Sequence, residues 1–425
     1  MKRVLIKYLI LFSVPLLFNG CFVDVIENPE IITSSSSDIT SLTKNIDLNN
    51  YPKVKEYTDF PIVAWYSIPD SALNYERFLE AKEAGITLSL FEYSNADNVQ
   101  KALNLAQKVG IKVLIACPEL EKETEKTVNK FKDHPANGGY FLKDEPFESN
   151  IPHLSNLAKK IEALDSTRFC YINLFPHHAQ THNILYKSYE VFVQKFVNEI
   201  PLKILSFDHY PILGNYISPY WYQNLEIIDE VARNAKIPFW AFALTSAHWG
   251  YPIPTIDHLR LQVYSNLAYG AKGIQYFTYW IPKNTIYNSA PIDRSGNKTN
   301  EYYILKEMNN EINNLSYIYQ TSKVKKVSHY GEAILGTESL SSLPFYIKSL
   351  NIIGGNALFS EMENDENRYY MIQNTNLYKD IEIDVKADLL SNIILKNGSI
   401  IPASFIDEKF KLTPGDMIIF SRSLN

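Results

Sequence analysis

Between Pro61 and Tyr279, short apolar runs alternate with amphipathic stretches of about a dozen residues, and this alternation limits the possible folds more than any other feature. The strand candidates are Pro61 to Tyr66, Ile86 to Phe91, Ile111 to Ala116, Gly139 to Lys143, Arg168 to Leu174, Lys203 to Phe207, Pro238 to Leu244 and Ile274 to Tyr279. Between them the spacing predicts helices, with Val99, Ala102, Leu103 and Ala106 on one face, then Leu154, Leu157, Ala158 and Ile161, then Leu259, Val263 and Leu267. Gly85, Gly110 and Gly270 stand where three helices should stop, and Asn74 and Thr255 are candidate N-caps. Eight such units over roughly 250 residues predict an α/β fold, a (β/α)8 TIM barrel. An open doubly wound sheet is the weaker choice, because no glycine-rich phosphate loop follows the first strand.

The flanking segments read differently. Lys2, Arg3 and Lys7 accompany an apolar stretch from Val4 to Phe18 that is too short to span a bilayer comfortably, which predicts an export signal. Its ending, Leu17-Phe18-Asn19-Gly20-Cys21, resembles a bacterial lipobox, so residues 1–21 are expected to be a lipoprotein signal with Cys21 lipidated and the protein anchored to the cell envelope; a plain secretory signal or an uncleaved anchor is the alternative. Polar residues 22–57, with Ser34 to Ser37, read as a flexible tether. The barrel is assigned to 58–322, closed by a helix from Tyr302 to Ile318. Alternating runs such as Arg368 to Ile372 and Ile381 to Val385 predict a small antiparallel β-sandwich over 323–425.

Composition removes several function classes. A formal net charge of −6, with no basic cluster, argues against nucleic acid. Cys21, Cys117 and Cys170 are an odd set at wide spacing, so neither a disulfide framework nor a CxxC metal site is encoded, and the last two read as buried inert thiols. No cofactor or metal is implied. His177, His178 and His182 could be mistaken for metal ligands, but adjacent residues rarely share one ion and no carboxylate lies near them in sequence.

In a barrel of this kind the reacting groups come from the C-terminal strand ends. Those ends carry Trp65 and Tyr66, Glu92, Glu119 just past the third strand, Asp144 and Glu145, Asn173, then Asp208, His209 and Tyr210. The seventh adds Thr245 with His248 and Trp249 beyond, and the eighth Gln275, Tyr279 and Trp280. Carboxylates, amides and aromatics together suit a sugar, and hydrolysis of a glycosidic bond needs one carboxyl as acid and a second as nucleophile or base. Alternation along a strand should turn Asp144 and Glu145 to opposite sides, with Glu145 facing the substrate. Each candidate has a plainer reading: the acidic pair could cap the next helix, Asp208 could only bind a hydroxyl, His209 could be a satisfied structural histidine, and Trp65, Trp249 and Trp280 could cover the barrel core.

Glu145-Pro146 at the end of strand four resembles the Asn-Glu-Pro signature of the large glycoside hydrolase clan that includes β-galactosidases. The resemblance implies that Glu145 is the acid/base and that Asp144 replaces the asparagine contacting the substrate's 2-hydroxyl. The runs Phe141 to Pro146, Asp208 to Pro211 and Ala268 to Phe277 are similar to exported, family 42-like proteins of the kind found in glycan-degrading Bacteroidetes. One element departs from the pattern: the clan's nucleophilic glutamate belongs at the end of strand seven, yet 238–252 contains no Asp or Glu. Asp208 is then the best second carboxylate, with Glu92 and Glu119 in reserve, and a gap wide enough for a water would make the mechanism inverting. The expectation is a glycosidase acting on an oligo- or polysaccharide. The rivals are a glycan-binding barrel without catalysis and a polysaccharide lyase using a tyrosine such as Tyr210.

Overall fold

The computed structural model describes residues 47–178, 188–406 and 409–424. Cys21, the export signal, His182 and most of the tether lie outside these residues. Eight parallel strands close into a barrel: β1 (Ile62–Trp65), β2 (Leu88–Leu90), β3 (Lys112–Ile115), β4 (Asn137–Asp144), β5 (Cys170–Leu174), β6 (Leu205–Phe207), β7 (Phe239–Leu244) and β8 (Ile274–Phe277). Closure is made by β1 beside β8, from Ile62 opposite Ile274 to Trp65 opposite Phe277. Strand β4 is longer than the run that predicts it; the others are shorter, each run including residues of the flanking turns.

The helices form where the spacing places them, and their ends have local causes. Helix α1 (Tyr75–Glu83) is capped by the Asn74 side chain, which accepts from the Arg77 N–H. Helix α2 (Ala96–Val109) starts at Asn95 and stops at Gly110, whose φ of 76° only glycine adopts cheaply, and it buries Val99, Ala102, Leu103 and Ala106. Two short helices, α3 (Pro118–Lys122) and α4 (Thr124–Phe131), precede β4; α5 (Ile151–Leu164), α6 (Tyr189–Glu199), α7 (Trp221–Ala235) and α8 (Ile256–Ala268) follow in turn. Thr255 caps α8 as expected, accepting from the His258 N–H. The long α9 (Asn300–Thr321) closes the ring, its Asn309 amide donating to the last carbonyl of α1's terminal turn at Ala84.

The barrel interior is plugged by aromatic side chains rather than by the usual layers of branched aliphatics. Trp65 packs 5.5 Å from Phe141, 5.8 Å from Tyr171 and 5.3 Å from Phe242, ring centre to ring centre, with Trp240 beneath. These rings make a floor, so the cup above it is shallow.

Nine antiparallel strands follow: β9 (Lys323–Tyr330), β10 (Ile347–Ile353), β11 (Ala357–Glu363), β12 (Asn367–Asn374), β13 (Ile381–Ala387), β14 (Asn392–Ile394), β15 (Ile400–Pro402), β16 (Lys409–Leu412) and β17 (Met417–Ser423). They form a six-stranded sheet, in the order β9-β11-β12-β17-β14-β15, and a three-stranded one, β10-β13-β16. Alternation on β11 shows how the sheets are used: Phe359 faces the three-stranded sheet, while Leu358 and Met362 join the barrel's core. Opposite them α8 is buried on every side from His258 to Ala268. The Ser360 hydroxyl donates to the Ala268 carbonyl, and the Gln373 amide donates to Arg260, Leu261 and Gly415 carbonyls. Residues 52–54, inside the segment read as a tether, pair with the β domain instead: Val54 N–H donates to Gly398 and Ile400 N–H to Pro52. The polar composition of 22–57 concealed this pairing, because a strand-like bridge three residues long needs only backbone.

Strand β4 enters through Gly139, at φ 136°, where an added Cβ would lie 2.8 Å from the Phe169 carbonyl oxygen. Gly139→Ala should therefore lower stability by about 1–3 kcal/mol, measured by urea unfolding; an unchanged midpoint would show that the strand relaxes freely at this point.

Candidate active site

Strand β4 does not keep strict alternation. Against β5, Phe141 pairs with Tyr171 but Lys143 pairs with Ile172, so Leu142 is an extra residue in a bulge. Phe141 faces the barrel interior; after the bulge Lys143 turns out and Asp144, opposite Asn173, turns in. The chain then leaves the strand at Glu145 with φ 43°, a left-handed backbone that is uncommon outside glycine. The result corrects the expectation that the two acids diverge: both bring their charge to the mouth, where each raises the other's neighbours. Burial, then Asp144, lifts Glu145 to about 7. Burial, then Glu145 and Asp144, pushes the buried Asp208 well above the usual carboxylate range. Asp144 is raised too, by desolvation and by Glu92, with the Asn173 hydrogen bond acting in the opposite sense.

A column of hydrogen bonds rises to this trio through the barrel. The Gln275 amide donates to Ser206 Oγ at 2.8 Å, Ser206 Oγ donates to Asn173 Oδ1 at 2.9 Å, and the Tyr171 hydroxyl donates to Gln275 Oε1. With its carbonyl oxygen so engaged, Asn173 presents its NH2 to the acids, 3.1 Å from Asp144 Oδ1 and 3.1 Å from Asp208 Oδ1. One nitrogen serving both oxygens holds Asp144 Oδ1 and Asp208 Oδ1 no more than about 6 Å apart.

The other candidates divide. Tyr210 faces the trio, its phenol pushed up by burial, then by Asp208, Asp144 and Glu145, and its ring lies 5.7 Å from Phe277 and 5.9 Å from Tyr251. Glu92 is solvent-exposed at the margin, near enough to act on Asp144. His248 is buried among aromatics, 4.8 Å from both Tyr251 and Tyr287. Tyr66, at φ 47°, packs on Phe91 at the end of β1, and Trp249 stands 77% exposed on the loop after β7.

Seven expectations need correction. Trp65 is the barrel's floor, only 8% exposed. Gln275 is fully buried and supports Asn173 rather than meeting a ligand. His209 turns behind the strand, with Nδ1 2.9 Å from Asn224 Oδ1 and Nε2 3.2 Å from Ser218 Oγ, and burial holds it neutral near 3: it is a structural histidine. Tyr279 is buried facing Tyr302, Glu80 and Arg77, and the Arg77 guanidinium lies 5.4 Å over the Trp280 ring, so both point into the outer ring. Glu119 sits in the first turn of α3, beside Cys117 rather than the trio. Thr245, at the end of β7, is buried and donates to the Thr278 carbonyl at 2.9 Å.

Sequence reasoning missed Tyr171, Ser206 and Phe277, although each is two residues from a candidate on the same strand and alternation could have found it. Tyr251 lies on the loop after β7 and Tyr287 opens a short strand that pairs with His248, and neither carried a signal. Cys117 and Cys170 are free thiols raised by burial to about 11 and about 12, which keeps them protonated. Among the described residues, no group of three or more His, Cys, Asp and Glu is arranged to hold a metal ion.

The protein is a closed (β/α)8 barrel with a C-terminal β domain and a carboxyl-lined mouth at the strand ends. Its fold is similar to that of the β-galactosidase from Bacillus circulans sp. alkalophilus, at a TM-score of 0.56 over 88% of this chain and 99% of that one, with 9% identity. It is similar too to a GH42 β-galactosidase from G. stearothermophilus, at a TM-score of 0.55, 88% and 99% coverage and 8% identity. At these identities the likeness is one of fold. No protein-family model matches the sequence, and no curated protein does.

Glu145 binds its proton more tightly when folded, near 7 against 4.5, so its contribution to stability is most favourable below pH 4.5 and is lost as pH rises toward 7. Glu145→Gln should remove that loss: the variant should be more stable than the parent by about 1–2 kcal/mol at pH 8, after allowance for solvent screening, and gain little at pH 4. Thermal melts at the two pH values measure the difference.

Proposed function

We propose that the protein is a glycoside hydrolase, with Glu145 as the general acid and Asp208 as the second carboxylate. The observation that carries this reading is the crowding of three carboxyls at the C-terminal mouth of the barrel, two of which, Asp144 and Asp208, share the Asn173 amide. Three acids so close cannot all ionise near neutrality, so the site keeps a proton, and Glu145, at about 7, is suited to give it to a leaving oxygen. Burial, then Glu145 and Asp144, raise Asp208 well above the usual carboxylate range and the Asn173 hydrogen bond opposes this only in part, so Asp208 serves as the second carboxylate in a cluster that shares its protons with Glu145. Glu92, at the margin, and Glu119, on α3, are less well placed. Two fold neighbours being β-galactosidases supports a carbohydrate substrate.

One observation favours the reading of a glycan-binding barrel without catalysis: the end of β7 offers Thr245 and Ser246 where the resemblance calls for a glutamate. The lyase reading fits poorly, because Tyr210 is held protonated by the same three carboxyls, which would repel a uronate. Export and lipidation of Cys21, and hence a cell-envelope location, belong to this proposal on the strength of the sequence alone.

The test is turnover of an oligosaccharide panel with product detection. Glu145→Gln should reduce kcat by about 10²–10⁴-fold with binding preserved, and Asp208→Asn comparably. Parent activity should decline as pH rises through about 7, when Glu145 loses its proton. Undiminished turnover by Glu145→Gln would overturn the assignment; binding without any turnover in the parent would favour the rival.

A further inference from the structure

Four non-glycine residues have left-handed backbones, among those described. Lys236 is a helix cap, the ordinary place for one. The other three, Tyr66, Glu145 and Trp249, all lie at the C-terminal ends of barrel strands or on the loops that follow. Such conformations are costly for residues with a Cβ and persist where surrounding structure enforces them. For Trp249 the enforcement is visible: Gly214 N–H donates to the Gly250 carbonyl at 2.9 Å, tying the loop after β6 to the loop after β7, and Tyr251 N–H donates to His248 at 2.8 Å. The strained residue is nonetheless 77% exposed, so its indole adds little to the core. Tyr216, on the tied partner loop, is 59% exposed.

A string of rings joins this indole to the carboxyl trio. Tyr210, against the acids, is 5.7 Å from Phe277; Phe277 is 5.9 Å from His248; His248 is 5.7 Å from Trp249. His248 is buried, so the string is packing beneath the surface and sets a span, no more than about 17 Å from Tyr210 to Trp249, on the order of three pyranose units; the exposed Trp249 supplies an aromatic face suited to the C–H face of a sugar.

We propose that the β6 and β7 loops form an extended binding platform, so that the substrate is a chain of several pyranoses, with Trp249 stacking on a sugar remote from the scissile bond. This rests on the hydrolase reading and names its substrate class, a polysaccharide or its longer fragments rather than a disaccharide. The short span from the exposed Trp249 to the acid cluster, with Tyr216 exposed on the tied loop, points to the same glycan chain that reaches Glu145 as the occupant.

The protein supplies its own probe. Of its five tryptophans, Trp65, Trp221, Trp240 and Trp280 are buried, so iodide quenching of the fluorescence reports on Trp249. The probes are di- and hexasaccharides of β-1,4-galactan, β-1,4-mannan and β-1,4-xylan. At least one hexasaccharide should shield Trp249 from iodide while its disaccharide does not, and Trp249→Ala should lower the hexasaccharide-to-disaccharide ratio of kcat/KM by about tenfold. Trp249→Phe should restore most of that ratio. Equal shielding by the short and long forms, no shielding by any probe, or an unchanged ratio would overturn the proposal. Shielding without turnover of any glycan would sink the hydrolase reading and leave the platform standing, so the two fail separately.

Discussion

One amide nitrogen, Asn173 Nδ2, is shared by two carboxyl groups from strands on either side of its own. The arrangement at the mouth depends on that sharing. Two full charges at about 4 Å repel by roughly 4 kcal/mol at the effective dielectric of a protein surface, and a third acid adds to the total. A donor between two of them offsets part of this, and retaining a proton on the cluster offsets more. The amide can serve only because its oxygen is engaged by Ser206, which in turn is supported by Gln275 from across the barrel. The chemistry at the rim thus reaches down through a buried, connected polar column, where a half-satisfied network would be worse than none.

The scaffold that carries the column is stiff. Aromatic rings close the barrel's bore beneath it, and three of the four left-handed non-glycine residues among those described, Tyr66, Glu145 and Trp249, lie at or beyond the strand ends above. The bulge at Leu142 and the left-handed turn at Glu145 act together: the first turns Asp144 inward, and the second brings the next residue's charge to the same place. Two acids adjacent in sequence are thereby made neighbours in function, which a regular strand would forbid.

Much of this was legible in the chain. Hydrophobic period and glycine stops located all eight barrel strands and the helices with a single apolar face, since both signals are local. Glu145, Asp144, Asp208, Asn173 and Tyr210 were recognisable as strand-end polar residues. The failures have physical causes. Gln275 and His209 are polar residues satisfied inside the fold, and sequence does not distinguish a buried hydrogen bond from an available one. Tyr279 and Trp280 follow the end of β8, where alternation no longer applies; Phe277, still within it, takes the place facing the mouth. Trp65 obeyed the pattern and faces inward, but one layer too low. The bulge in β4 has no signature in Tyr140 to Asp144, because it arises from the fit to β5.

Helix α8 has no face of its own turned to water: the barrel takes one side and the six-stranded sheet the other. During synthesis the barrel's last βα unit is complete in sequence well before the sheet that covers it has been made. Until β11 and β12 arrive, α8 is covered by the barrel and by α9, where Tyr264 donates to Glu311, but its sheet-facing side is open and the Arg260 and Leu261 carbonyls await their donor from Gln373. The packing of α8 is therefore completed only by strands that come later in the chain, which makes the β domain part of the barrel's own burial rather than an appendage to a finished body.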